Sequence, residues 1–230
     1  MAADGSDART PGPPPGPADA GSQDDPTTER LITLTDAVVA IALTLLILGI
    51  QVPSPGSLHD PNSVTELADA LRHTLNGWIS YAISFYVIAQ FWTIHHKAFR
   101  GIRGHRGGLA GWNFVFLLTI SVMPFTSDLI GKYPENPLSV IIFSANLILA
   151  NVAIFALLAF ALRHGMLTDK GRESLDRHHS LQAVIDMSFY VVAIPVALVS
   201  PDLAKCCWFG LALSPHIVKA VNRRRGAQAA

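Results

Sequence analysis

The composition of this 230-residue chain is dominated by apolar residues: half are hydrophobic, 15% are charged, and the mean hydropathy is +0.36. The formal net charge is zero, so bulk charge indicates no acidic or basic partner, and no nucleic-acid partner is expected. The only cysteines, Cys206 and Cys207, are adjacent, which argues against a disulfide framework and gives no metal-ligand spacing. These features favour an integral membrane protein.

The chain begins with a polar stretch and continues with apolar segments. Residues 1–28 contain the run Pro-Gly-Pro-Pro-Pro-Gly-Pro and cannot bury enough apolar surface to offset the entropy of ordering, so a disordered Pro/Gly-rich tail is predicted. Six segments of membrane length follow, separated by breaks that carry Pro, Gly or charge: 30–50, 71–95, 109–130, 138–162, 180–200 and 203–221. The prediction is one six-span domain at 29–222, followed by a basic tail at 223–230.

Basic residues lie mainly on one side of this layout. The two termini and the connections after the second and fourth segments carry 14 of the 17 Lys and Arg residues, which leaves only Arg72, Lys132 and Lys205 for the other side. Cytoplasmic loops of membrane proteins are enriched in Lys and Arg. We therefore predict a multi-pass protein of the cell membrane with both termini in the cytoplasm.

The first segment carries a carboxylate within its predicted span. The apolar run from Ala37 to Ile50 has about 14 residues, or roughly 21 Å of helix, which is shorter than a hydrocarbon core of roughly 30 Å. The helix must therefore begin near Arg30 and take Asp36 into the membrane. Ionisable residues at that depth usually face protein or water. Asp36 is thus either a functional group or part of an ion pair or hydrogen bond that fixes helix packing.

The same helix has an aliphatic stripe. At about 100° per residue, this stripe consists of Ile41, Leu45 and Leu48. Thr44 lies about 60° from the line of Ile41, and Asp36 lies about 140° round the helix from it. Taken by itself, such a stripe also fits lipid-facing or core packing.

Three motifs in this chain resemble a known family. The stretch Arg30-x-x-x-Leu34-Thr35-Asp36, followed by Ala-Val-Val-Ala-Ile-Ala-Leu-Thr-Leu, looks like the Arg-x-x-x-Phe-Ser-Asp signature of the transmembrane protein 175 family of potassium channels. The stretches Tyr81-Ala-Ile-Ser-Phe-Tyr-Val-Ile-Ala-Gln-Phe-Trp-Thr-Ile-His-His and Gly111-Trp-Asn-Phe-Val-Phe-Leu-Leu-Thr-Ile-Ser-Val-Met-Pro-Phe are similar to its second and third helices. The resemblance covers about residues 30–160. Leu34 and Thr35 stand where the family has Phe and Ser, which alters the packing at that corner.

The resemblance implies a homotetramer of one six-helix repeat, with the first helix of each subunit around a central pore; animal members fuse two repeats. It also implies a pore narrowed by aliphatic rings, which fall here at Ile41, Leu45 and Leu48. Such rings are hydrophobic constrictions that hinder ion hydration. The Thr44 hydroxyl would partly compensate a dehydrating cation and support a modest preference for potassium over sodium. The alternative for Thr44 is a hydrogen bond to its own helix.

A polar corner is predicted beside this helix. Its members are Arg30, Thr35, Asp36, Trp92, His95, His96 and Asn113. Asp36 is expected to be buried with Arg30, so that losing either partner leaves an uncompensated charge. The resemblance implies that Trp92 and one of the two histidines contact this pair, the alternative being simple anchoring at the membrane interface. Asn113 is expected to hydrogen-bond between helices.

The sequence thus predicts an all-α, six-span, homotetrameric channel that is permeable to potassium and weakly selective for it. Its expected partners are the lipid bilayer and potassium ions, with no cofactor apart from the permeant ion. No nucleophile–base pair, phosphate-binding loop or metal-ligand spacing occurs in the sequence, so no enzyme activity is expected. The alternative is a small ion- or proton-coupled secondary transporter with Asp36 as the coupling site. Transporters usually contain a Gly- or Pro-broken helix at the midplane, and the first segment has neither residue before Gly49.

Overall fold

The computed structural model describes residues 26–104, 106–174, 180–205 and 208. Within these ranges the chain is all-helical, apart from one isolated antiparallel bridge between Ile102 and Leu167. The helices are α1 (Pro26–Leu45), α2 (Val64–Arg72), α3 (Leu75–Arg100), α4 (Gly107–Lys132), α5 (Pro137–Arg163), α6 (Asp169–Ser174) and α7 (Ser180–Val199). A 3₁₀ turn at Leu46–Gly49 extends α1, a second occupies Pro55–Ser57, and residues 201–205 are helical.

Three of these helices are long and apolar enough to cross a membrane: α1 with its 3₁₀ extension, α4 and α5. They correspond to the first, third and fourth predicted segments. Within α7, Val184–Val199 forms a shorter apolar helix that falls in the fifth segment. The sixth segment, 203–221, lies almost entirely outside the described residues, as does the basic tail at 223–230. α1 begins at Pro26, so the last three residues assigned to the N-terminal tail are helical.

The second predicted segment, 71–95, differs most from the structure. The chain forms two helices here, α2 and α3, separated by His73 and Thr74. The side chain of Ser63 caps α2 by accepting a hydrogen bond from the backbone N–H of Glu66, and this Ser-x-x-Glu spacing is a common signal for a helix start. The predicted span therefore starts within the last two residues of a separate short helix, and its remainder after Thr74 lies in α3. α3 then continues five residues beyond the predicted end.

α4 packs against α1, α3 and α5, and α7 packs against α5. The main core draws buried side chains from all of these helices, including Phe91 of α3, Phe116 of α4 and Phe143 of α5. Polar links cross the same core: Asn146 Nδ2 of α5 donates to the carbonyl oxygen of Thr119 of α4 at 3.1 Å. Because lipid tails are as apolar as these side chains, close packing and interhelical hydrogen bonds stabilise such a bundle.

A second, smaller core lies where the α3–α4 and α5–α6 connections meet. Its buried members are Leu31, Phe99, Ile102, Leu109, Leu157, Ala161, Met166 and Leu167. The backbone N–H of Arg103 donates to the carbonyl oxygen of Met166 at 2.7 Å, and that of Thr168 donates to the carbonyl oxygen of Gly101 at 2.9 Å. We call this pairing of residues 101–103 with 166–168 the loop junction.

Two further contacts fix the loop junction. A Cβ placed on Gly171 would lie 2.5 Å from the carbonyl oxygen of Gly101, so the close approach of the two backbones requires glycine there. Thr28, in the first turn of α1, donates its hydroxyl to the carbonyl oxygen of Gly104 at 3.3 Å. The start of α1 is thereby tied to the connection between α3 and α4.

Candidate functional site

α1 has one buried face and one exposed face. The residues that face the bundle are Thr28, Leu31, Thr35, Val39 and Ala42, continued by Leu46 in the 3₁₀ turn. The stripe predicted to line a pore lies elsewhere on the helix: Ile41 is 58% exposed, Leu45 43% and Leu48 70%. Because the described part of the chain leaves this aliphatic stripe uncovered, the stripe is available to a pore, to lipid or to another protein surface.

The end of this helix departs from the regular helical wheel that predicted the stripe. The α-helix ends at Leu45, and Leu46–Gly49 form a 3₁₀ turn. Side chains at i and i+3 eclipse in a 3₁₀ helix, whereas in an α-helix they lie about 60° apart. The tighter turn therefore brings Leu48 closer to the line of Leu45 than the α-helical wheel expects.

Thr44 adopts the back-bonded alternative. Its hydroxyl donates to the carbonyl oxygen of Ile41 at 2.8 Å, and its side chain is exposed beside the stripe. This bond uses the hydroxyl hydrogen and leaves the oxygen's lone pairs for another group. A Thr44 oxygen held this way presents acceptor capacity next to the exposed aliphatic side chains.

Asn113 is the centre of the polar corner. It lies on α4 and is fully buried, as is Thr35 of α1, and His95 of α3 is almost fully buried. Asn113 Oδ1 lies 2.7 Å from His95 Nε2, and Asn113 Nδ2 donates to Thr35 Oγ1 at 3.1 Å. Thr35 Oγ1 in turn donates to the carbonyl oxygen of Leu31 at 2.9 Å. These bonds form one chain in which each donor points the same way: His95 donates to Asn113, Asn113 donates to Thr35, and Thr35 donates to Leu31.

Aromatic packing fixes the histidine at the head of this chain. The His95 ring stacks on Phe116 of α4, with ring centroids 5.1 Å apart and an interplanar angle of 11°. On its own helix it stacks on Phe99, with centroids 4.4 Å apart. The His95 ring is therefore held in one orientation, and Asn113 joins three helices by hydrogen bonds.

Asp36 belongs to a separate, exposed part of the corner. Trp92 Nε1 of α3 donates to Asp36 Oδ1 at 2.7 Å, and the Trp92 ring stacks on His96 with centroids 5.4 Å apart. His96 Nδ1 is buried and has no hydrogen-bond partner among the described residues. The neighbouring histidines thus serve different contacts, one to Asn113 and one to Trp92.

The prediction that Arg30 and Asp36 form a buried pair is wrong within the described part of the chain. Both residues are exposed, and within the described ranges neither takes part in an ion pair. Their spacing of six residues explains this, because it separates them by about 9 Å along the axis and about 120° around it. The carboxylate is paired with an indole N–H instead of a guanidinium.

Two carboxylates in or beside apolar helices were missed from the sequence. Asp186 of α7 is buried, and the rule that singled out Asp36 would have found it. Asp128 of α4 lies against the 3₁₀ turn that ends the first helix: a Cβ on Gly49 would lie 3.2 Å from Asp128 Oδ1. Its other oxygen pairs with Lys132 Nζ at 2.8 Å. Nothing local marks the contact with Gly49, since it joins residues far apart in the chain.

Comparison with known proteins shows which proteins this part of the chain resembles. Residues 30–124 match the family model described as the endosomal/lysosomal potassium channel TMEM175. Over this range the chain is similar to the TMEM175 family. The matched range contains every residue of the aliphatic stripe and the polar corner. The TMEM175 family is one of ion channels, not of enzymes.

Named relatives extend the similarity beyond that range. A potassium channel of Chryseobacterium sp. (strain P1-3) is 25% identical over 186 residues, which cover 80% of this chain and 90% of the relative. A potassium channel of Chamaesiphon minutus is 26% identical, covering 81% of this chain and 92% of the relative. The mouse endosomal/lysosomal proton channel TMEM175 is 23% identical over 84% of this chain but only 39% of its own length.

A solved structure shares the fold. The crystal structure of a lysosomal potassium-selective channel TMEM175 homolog from Chamaesiphon minutus superposes with a TM-score of 0.69 at 23% sequence identity. The match covers 82% of this chain and 96% of that one. The described bundle is therefore a TMEM175 fold at nearly the full length of that structure.

Proposed function

We propose that this chain forms a potassium-permeable channel in which α1 from each of four subunits surrounds a central pore. Two relatives matched over most of their length are named potassium channels. The observation that carries the proposal is the uncovered stripe of Ile41, Leu45 and Leu48 on the helix that holds the family signature. In a tetramer this stripe faces the axis, and the opposite face of α1 packs on its own subunit.

The chemistry of the stripe supports weak selectivity. A ring of aliphatic side chains offers no ligand to a dehydrating cation, so it obstructs ions by hindering their hydration. Thr44 places four hydroxyl oxygens per tetramer beside the rings, and their lone pairs provide partial compensation. This arrangement works without a filter of backbone carbonyl groups. Because only the Thr44 oxygens compensate the dehydrated ion, discrimination between potassium and sodium is modest.

The proposed channel has six spans per subunit and cytoplasmic termini. This rests on the excess of Lys and Arg in the connections on one side. In a background of Cys206→Ser and Cys207→Ser, a cysteine at Arg103 is expected to be protected from an impermeant thiol reagent in intact cells. A cysteine at Pro134 is expected to react. The reverse labelling pattern contradicts this topology.

Substitution of Ile41 by Asn tests the pore. The purified protein is reconstituted in planar bilayers, and the reversal potential is measured across a potassium–sodium gradient. Ile41→Asn shortens and hydrates the constriction, so conductance is expected to rise and discrimination between the two ions to weaken. The matched control is Leu149→Asn on α5, because Leu149 has the same exposed fraction, 58%. An amide facing lipid impairs insertion without changing the selectivity of the channels that do assemble.

Two outcomes contradict the proposal. Unchanged current and selectivity in a well-assembled Ile41→Asn protein would locate the pore elsewhere and favour the transporter with Asp36 as its coupling site. Wild-type protein that carries protons across a pH gradient but no potassium current would favour the activity for which the mouse relative is named. Mass measurement of the purified assembly tests the stoichiometry of four independently of either current.

A further inference from the structure

The short helix α2 has an apolar face that the other described residues leave uncovered. Val64 is 82% exposed, Leu67 40% and Leu71 47%, and α2 has no buried residue. These three residues recur at helical spacing on one side, whereas Glu66 and Asp69 lie on the other. A helix with one apolar face and one charged face is typical of helices that lie in a membrane interface.

Local contacts fix the start of α2 as a defined element. The Ser63 side chain caps the helix, and Glu66 Oε2 accepts hydrogen bonds from the backbone N–H groups of His59 at 2.8 Å and Asp60 at 2.9 Å. Yet α2 has only nine residues, and isolated helices shorter than about 12–15 residues are marginal in water. A capped helix of this length needs a surface against which its apolar face can pack.

The exposed apolar surface continues from α2 into α3. Two residues separate the helices, and Leu75, Trp78 and Ile79 in the first turns of α3 are exposed. Trp78 makes an edge-on contact with Tyr81, with ring centroids 6.1 Å apart. Tryptophan and tyrosine are enriched where a membrane helix crosses the headgroup region. This pair therefore places the end of α2 beside the boundary between headgroups and acyl chains.

We propose that α2 lies on the bilayer surface with Val64, Leu67 and Leu71 inserted at the boundary between headgroups and acyl chains. We take lipid as the occupant of its apolar face, because the face adjoins Trp78 and Tyr81 at the start of α3. By itself, the face of a nine-residue helix is also far smaller than the roughly 1,000 Å² of a specific protein interface. Its charged residues, Glu66, Asp69 and Arg72, give no positive excess, so the docking is apolar and independent of anionic lipid. The proposal needs the membrane location of the chain but not the identity of the permeant ion.

The test compares opposite faces of α2 in the full-length protein. In a background of Cys206→Ser and Cys207→Ser, single cysteines at Leu67 or Thr65 are labelled with an environment-sensitive fluorophore. The proteins are reconstituted in phosphatidylcholine vesicles with or without lipid that carries a shallow spin-label quencher. At Leu67 we expect blue-shifted emission and a loss of fluorescence of about twofold or more, since such faces insert about 5–10 Å into the boundary. The probe at Thr65, on the polar face, should show water-like emission and little quenching.

Each other result decides against the proposal. Water-like, unquenched emission at Leu67 would mean that α2 stays in solution. Shielded emission that lipid does not quench would mean that protein covers the face, as in a contact between copies. Quenching that appears only when phosphatidylglycerol is added would replace apolar docking with electrostatic attraction. If labelled Leu67→Cys does not assemble, Leu71→Cys probes the same face and is read in the same way.

Discussion

Replacing Asn113 should loosen the contact of α4 with α1 and α3. The substitution Asn113→Leu keeps a similar side-chain volume but removes the acceptor for His95 Nε2 and the donor to Thr35 Oγ1. Because the site is fully buried in the subunit, no water replaces the lost partners. The hydrogen-bond chain that runs from His95 to the backbone of α1 is broken at its centre.

The size of the effect follows from the two lost bonds and the group left behind. Hydrogen bonds between membrane helices average about 0.6 kcal/mol and reach about 1.7 kcal/mol. A buried donor without a partner, here His95 Nε2–H, costs a further 1–3 kcal/mol or so. The free energy of unfolding should therefore fall by about 2–4 kcal/mol for Asn113→Leu.

Reversible unfolding in mixed lipid–detergent micelles measures this loss. A double-mutant cycle with Thr35→Val isolates the Asn113–Thr35 bond, and its coupling energy should lie at about 0.6–1.7 kcal/mol. Asn76→Leu, at an exposed position in the first turn of α3, is the control and should change stability by less than about 0.5 kcal/mol. A loss at Asn113 no greater than at Asn76, or a coupling energy near zero, would refute the role of Asn113 in joining the helices.

Two further substitutions test contacts described above. Gly171→Ala places a Cβ against the carbonyl oxygen of Gly101 and should destabilise the loop junction by about 1–3 kcal/mol. The loss is measured as a lower melting temperature. An unchanged melting temperature would mean that the two backbones separate at little cost. Trp92→Phe keeps an aromatic ring but removes the N–H donor to Asp36, so the free energy of unfolding should fall by about 0.5–1.5 kcal/mol. Trp112, which is also exposed, is the control, and Trp112→Phe should cause no such loss. Equal losses in the two variants would mean that the hydrogen bond does not contribute.

The helices that lie between clear breaks in the sequence were predicted most accurately. α4 and α5 begin and end within two residues of the predicted segments, because Gly-rich and Pro-rich breaks bound long apolar runs. The region of α2 and α3 was predicted less well, since Leu71 and Leu75 continue the apolar pattern across the break between the two helices. The Ser63–Glu66 cap is the local signal that marks α2 as a separate helix.

For the site, spacing along one helix predicted which residues share a face, and an interhelical hydrogen bond of Asn113 was expected without its partners, Thr35 and His95. The exposure of Ile41, Leu45 and Leu48 on one side of α1 follows from their period. The contact of Trp92 with Asp36 was implied by the family resemblance and not by spacing, because Trp92 reaches Asp36 from another helix. The loop junction had no sequence signal, since backbone groups form it and glycine permits it without specifying which segments pair.

The loop junction also has a consequence for any tilt of α1. Thr28 is bonded to Gly104, and Leu31 is packed in the second core, so the N-terminal end of the helix is tethered and would be the pivot of such a tilt. Leu48 lies about 25 Å along the axis from Leu31 and Ile41 about 15 Å from it. A tilt of about 5° about that pivot displaces Leu48 by about 2 Å and Ile41 by little more than half as much. In the proposed ring of four α1 helices, a small tilt would change the width at Leu48 most and the width at Ile41 least.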